Sequence, residues 1–117
     1  MIEMYEVRMS LRVSGGPDRA EHFDIVVDAF SALESVHDEV LDSSFGFTDH
    51  DEFSEIDIEV TVSAEDETEA YRLASSCVRS AIQQAGGRTP DWDQAPSHDL
   101  SAAVYRVTDE SVGLVTA

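Results

Sequence analysis

The chain has no lysine and no asparagine, a single cysteine and three prolines. No apolar run in it approaches the ~20 residues that a membrane-spanning helix needs. Each shortage excludes something. With no second cysteine, Cys77 cannot close an internal disulfide or build a cysteine zinc site, which points to a reducing compartment. With no lysine, arginine supplies all seven basic residues, against 25 Asp and Glu for a net charge of -18. Nucleic-acid affinity depends on cations that displace counterions from phosphates, so direct binding to nucleic acid or to an anionic membrane is disfavoured. The stretch Met1 to Glu6 lacks the basic start and apolar core of a signal peptide, and the expected location is cytoplasmic.

Lysine and asparagine share A-rich codons, so their absence reads as a GC-rich genome that uses arginine for every cation. A solvating surface suited to a saline habitat is a second ordinary reading of the acidity. A sharper reading is an acidic surface that imitates DNA or holds a basic partner.

What is present suits one packed domain. The chain has 117 residues, 42% of them hydrophobic, and at that length one core buries roughly two-thirds of the unfolded chain's surface. Tyr5, Val7, Met9, Leu11 and Val13 alternate with Glu6, Arg8, Ser10 and Arg12, the signature of a half-buried strand. Ser14, Gly15, Gly16 and Pro17 end it, with Pro17 suited to the first helical position. From Asp18 to about Ser35 the apolar residues Ala20, Phe23, Val26, Val27, Phe30 and Leu33 recur at helical spacing. Glu39 to Phe47 has strand-like aromatic content and leads into the polar loop Thr48 to Glu52. Ser54 to Ala64 alternates again, with Ile56, Ile58, Val60 and Val62 facing in, which completes a hairpin. A second helix, capped by Ser63 or Asp66, carries Ala70, Leu73, Ala74, Cys77, Val78, Ala81, Ile82 and Ala85 on one face and stops at Gly86 and Gly87. Arg88 to Leu100 (RTPDWDQAPSHDL) has no periodicity and reads as a loop. A last strand is expected within Ala102 to Val115, interrupted near Asp109 and Glu110.

This order of elements predicts a single α+β domain, the ferredoxin-like sandwich, with two helices on one face of a four-stranded antiparallel sheet. Its shared core is expected to hold Val7, Met9, Leu11, Ile56, Ile58, Val60, Leu73, Cys77 and Val78. The first and third strands are then central neighbours. A register that sets Arg8 opposite Glu59 also sets Arg12 opposite Glu55 and Ser10 opposite Asp57, so cations meet carboxylates on the uncovered face.

The span from about Glu55 to Trp92, with its acidic strand EIDIEVTV, the helix segment RLASSCVRSAI and the ending QQAGGRTPDW, resembles small uncharacterised actinobacterial proteins. In these a similar helix ends in an A-G-G-x-T-P-x-W turn. The resemblance implies the same fold and a GC-rich source, and it brings no activity and no functional residue.

Candidate chemistry is sparse. Ser14 to Asp18 joins a strand to a helix, where backbone amides can hold an anion, but there is no lysine and Asp18 and Glu21 would repel one, so it reads as a turn. An acylphosphatase activity, another use of this topology, is rejected because asparagine is absent. His50 between Asp49 and Asp51, with Glu52, is a candidate cation site at the hairpin tip, although a solvated tip fits the pattern better. Ser97, His98 and Asp99 hold the letters of a triad without its geometry. Cys77 is expected to be buried and unreactive. Trp92 reads as a structural plug at one end of the sandwich or an interface residue, and Phe53 and Tyr71 are the other exposed aromatics.

No nucleophile with its base, cofactor fingerprint or metal cluster stands out, and no cofactor is expected. The function expected is a non-enzymatic interaction or regulatory module that associates with itself or with a basic protein. The candidate contact residues are Glu55, Asp57, Glu59 and Trp92. The alternatives are an acidic DNA mimic or decoy that occupies a nucleic-acid-binding protein, and a small-ligand-binding α+β domain.

Overall fold

The computed structural model of the chain describes residues 2–16, 18–87, 89 and 103–115. Its elements run β1 (Glu3–Ser14), α1 (Arg19–Val36), β2 (Val40–Asp49), β3 (Ser54–Ala64), α2 (Glu67–Gln84) and β4 (Val104–Leu114). All pairings are antiparallel and the spatial order is β2-β3-β1-β4, which is the ferredoxin-like arrangement.

Alternation sets the register of the two central strands. A slip of one residue would turn the apolar set of β1 or β3 to solvent. The observed partners are those expected, Arg8 with Glu59, Ser10 with Asp57 and Arg12 with Glu55. Val7, Met9, Leu11, Ile56, Ile58 and Val60 are all buried beneath the helices, and burying each such side chain contributes about 1.5–3 kcal/mol.

Both helices begin at aspartate. The Asp18 side chain accepts from the Glu21 amide at 3.0 Å, and that of Asp66 from the Glu69 amide at 2.8 Å, which satisfies amides that have no partner within the helix. The first helical position of α1 is therefore Arg19, where the sequence had suggested Pro17. Gly15 and Gly16 adopt φ of 77° and 75° just before it, a left-handed backbone that explains the glycine pair as a turn.

The core of α2 is narrower than its letters suggest. Ala70, Ala74, Val78, Ala81 and Ile82 are buried, while Leu73 and Cys77 are half-buried. The small side chains at the centre of the stripe let α2 approach the sheet closely. Leu73 and Cys77 each sit one position earlier along the helix and point sideways toward α1. Leu73 and Cys77, expected in the shared core, pack against it from the side, and Cys77, expected to be buried, is only half-buried.

β2 reaches Asp49, two residues past the expected Phe47, because Thr48 and Asp49 still pair with Glu55 and Ser54. The His50 amide then donates to the Phe53 carbonyl at 2.9 Å and closes the hairpin. α1 lies over this edge of the sheet. Its Phe23 stacks on Phe47 at 5.6 Å between centroids, and its Phe30 meets Phe45 edge-on at 5.4 Å. In β4 the partner of Ser10 is Asp109 and that of Leu11 is Val107, so Thr108 is the extra residue of a bulge. The interruption expected near Asp109 is this bulge, and the strand continues through it.

Candidate interaction face

The sheet face away from the helices is covered by no described element. Successive rows across it, in the order β2, β3, β1, β4, read Thr48, Glu55, Arg12 and Arg106, then Gly46, Asp57, Ser10 and Asp109, then Ser44, Glu59, Arg8 and Ser111. The carboxylates of β3 thus form a line along the strand, with arginines beside two of them and a serine beside the third.

Partners differ along that line. Arg8 Nε lies 3.1 Å from Glu59 Oε1 and donates to Glu6 Oε1 at 2.7 Å. The hydrogen bond to Glu6 and the field of Glu59 raise the guanidinium pKa further. Ser10 Oγ donates to Asp57 Oδ1 at 2.8 Å, and Asp109 stands on the other side of Ser10, so this row holds two carboxylates and no cation. Arg12 lies opposite Glu55, yet its guanidinium carbon sits 4.1 Å above the Phe53 ring, and Glu55 instead faces His50 Nε2 at 3.7 Å. A cation on a π-face explains this choice. Phe53, expected to be an exposed contact, is half-buried by Arg12 and by the ring of His50, stacked 4.8 Å away.

Between β3, β1 and β4 the face dips into an open basin of about 460 Å³ lined by Arg8, Ser10, Asp57, Glu59, Asp109 and Ser111. It is shallow and mostly polar. Among the described residues no group of three or more His, Cys, Asp or Glu side chains is arranged to hold a metal ion.

The hairpin tip carries its own cation. Arg19, in the first turn of α1, donates through Nε to Ser54 Oγ at 2.8 Å and through an Nη to Asp49 Oδ1 at 3.0 Å and the His50 carbonyl at 2.7 Å. Ser54 Oγ donates to the same Asp49 oxygen at 2.6 Å. Donation by Ser54 and then by Arg19 holds the Asp49 carboxyl below the usual carboxylate range. The guanidinium occupies the place that the candidate cation would take at Asp49.

Two further side chains settle locally. Tyr71, expected to be an exposed contact, is half-buried and donates its hydroxyl to Glu110, and burial first and this carboxylate second push its pKa up to about 12. Cys77 lies in a groove of about 230 Å³ between the helices, with Leu33, His37, Leu73 and Ser80 around it. Burial and the nearby Glu39 raise its thiol pKa. Trp92, the loop Arg88 to Leu100 around it and His98 within that loop lie outside the described residues, apart from the buried Thr89.

One constellation gave no sequence signal. His22 on α1 has Nε2 2.9 Å from the Ala85 carbonyl at the end of α2 and Nδ1 2.7 Å from the Tyr105 hydroxyl on β4. A carbonyl only accepts, so Nε2 carries a hydrogen, and in the neutral ring Tyr105 then donates to Nδ1. Burial raises the Tyr105 pKa. This chain of bonds ties two helices and a strand together, and its residues are 83 positions apart at the extremes.

No protein-family model, no curated protein and no solved structure matches this chain.

Proposed function

We propose that this chain is a non-enzymatic interaction module that self-associates and presents its uncovered acidic sheet face to a basic protein partner. The observation that carries the proposal is the carboxylate line Glu55, Asp57 and Glu59, flanked by Asp109, on a face that no described element covers. Shape supports a binding surface over a catalytic cleft, because the depression between β3, β1 and β4 is an open basin. Two rows contain arginine, so the face offers a basic partner a patterned target instead of uniform negative charge, and patterned charge favours specificity.

A DNA-mimicking decoy is the second reading, favoured by the cation-free row of Asp57 and Asp109. Arg8 and Arg12 interrupt the negative field of that face, so the adaptor reading is the better supported.

The test replaces Glu55, Asp57 and Glu59 by Gln, Asn and Gln, which keeps shape and removes three charges. Tagged wild-type and variant proteins are expressed in the native cell, and captured protein is compared alongside mass by light scattering. Lost capture with unchanged mass supports the reading. A changed mass makes this face the self-association surface, and unchanged capture and mass make it ordinary solvated surface.

A further inference from the structure

Both outer strands of an open sheet expose unpaired backbone groups, and proteins commonly blunt such edges with charge, proline or bulges. β4 is blunted. It carries Arg106, Asp109 and Glu110 and is kinked at Thr108 by its bulge. β2 is not. Ser43 to Thr48 is a run of six uncharged residues, the longest in any of the four strands, within a chain of net charge -18. Its one irregularity lies at the start, between Val40 and Asp42, which leaves Asp42 to Asp49 in regular register. Phe45 and Phe47 on this edge are only half-buried beneath α1.

Resting on the self-association reading above, we propose that β2 pairs antiparallel with β2 of a second copy about a two-fold axis at Gly46, giving one continuous eight-stranded sheet. Because side chains alternate, a pair across the seam must share a face, and a two-fold at Gly46 satisfies this throughout. It sets Phe45 opposite Phe47 of the second copy on the helix face, twice, and Ser44 opposite Thr48 on the open face. Aromatic pairs and hydroxyl pairs are both favourable across strands.

Charge selects this edge for a second copy of the same acidic chain. No carboxylate faces a carboxylate in the pairing. Ser43 meets Asp49, whose charge Arg19 of its own chain already holds, and Asp42 meets His50. Ser43 Oγ donates to Glu34 of α1 at 2.9 Å, which places Glu34 on the β2 flank of that helix. The antiparallel arrangement keeps the two Glu34 side chains about 20 Å apart along the strands, beyond the screening length in physiological salt. Gly46 supplies an independent pointer. A β-carbon there would meet only Asp57, at 3.8 Å, and its φ lies outside the left-handed range. Among the described residues nothing requires glycine at that position, and a glycine inside a strand often marks a site where another backbone approaches closely.

The experiment measures mass by light scattering on the full chain in moderate salt. Wild type is expected at twice the 12.8 kDa chain mass. The double variant Ser44→Glu, Thr48→Glu is expected at half the wild-type value, as is Ser44→Lys, Thr48→Lys, and an equal mixture of the two is expected to return to the doubled mass. These positions are exposed, so each variant keeps the fold. The control Ser111→Glu, Gly113→Glu, which loads the β4 edge, is expected to stay dimeric. A wild-type monomer overturns self-association itself. A wild-type dimer that survives both β2 variants, or that only the β4 control dissociates, overturns this seam and leaves self-association standing.

Discussion

At the hairpin tip, Arg19 gathers Ser54, Asp49 and a backbone carbonyl around one guanidinium that is only 18% exposed. Charge-assisted hydrogen bonds of this kind contribute more than neutral ones. Replacing Arg19 with Met is expected to cost about 1–3 kcal/mol in urea denaturation, because Ser54 is left buried without its donor. Asp49 adds a pH signature. Its folded pKa is depressed, so the stability it contributes is complete above the ordinary carboxylate pKa and is lost as pH falls through the folded value. Asp49→Asn is expected to be less stable than wild type at neutral pH, and the gap between urea midpoints is expected to close on acidification below about pH 4. Cys77 answers to a different cause. Half-burial and a raised pKa keep it mostly protonated, so thiol labelling at neutral pH is expected to be slower than in denatured protein and to quicken as pH rises. Labelling as fast as in the denatured chain would show an open groove.

At the scale of elements, the end of α2 shows how two adjacent glycines serve different needs. Gly86 has φ of 85° and open space around it, while the Gly87 amide bonds the Ile82 carbonyl at 2.8 Å and the Gly86 amide bonds that of Gln83 at 3.0 Å. This is the Schellman ending, and only its first residue must be left-handed. At Gly87 the constraint is space, since a β-carbon would lie 2.7 Å from Ile82 Cγ2 and 3.0 Å from His22 Cε1. Gly86→Ala is expected to cost about 1–2 kcal/mol through backbone conformation. Gly87→Ala is expected to cost about 1–3 kcal/mol through crowding and to displace His22, so its histidine ring signals in NMR should shift while those of Gly86→Ala stay in place. The helix stop at this pair was legible from the letters. The crowding was not, because His22 belongs to another helix.

For the molecule as a whole, eighteen net negative charges on one small domain repel one another, and added salt screens that repulsion. Local pairing offsets only part of it. Arg8 and Arg19 pair with carboxylates, and His50 does so only when protonated, but seven arginines cannot balance 25 acidic residues. Melting temperature is therefore expected to rise between low and moderate salt, measured by calorimetry on dilute protein. A flat response would mean that the carboxylates are already neutralised close by. No described helix is long and apolar enough to cross a membrane.

Local periodicity carries fold information because the pleat places every second residue on one face. The alternations of β1 and β3 therefore determined which faces are buried, and the charges on them singled out the Arg8 to Glu59 register from the letters alone. Composition likewise determined the acidity of the exposed surface. Only the tertiary structure decided where the remaining polar groups go. Arg19 closes on a hairpin 30 residues away, His22 joins α2 to β4, Arg12 leaves Glu55 for Phe53, and Cys77 turns toward a groove. Each depends on the distance between two elements, which is set by how side-chain volumes pack between helices and sheet and leaves no trace in the spacing of letters along one of them.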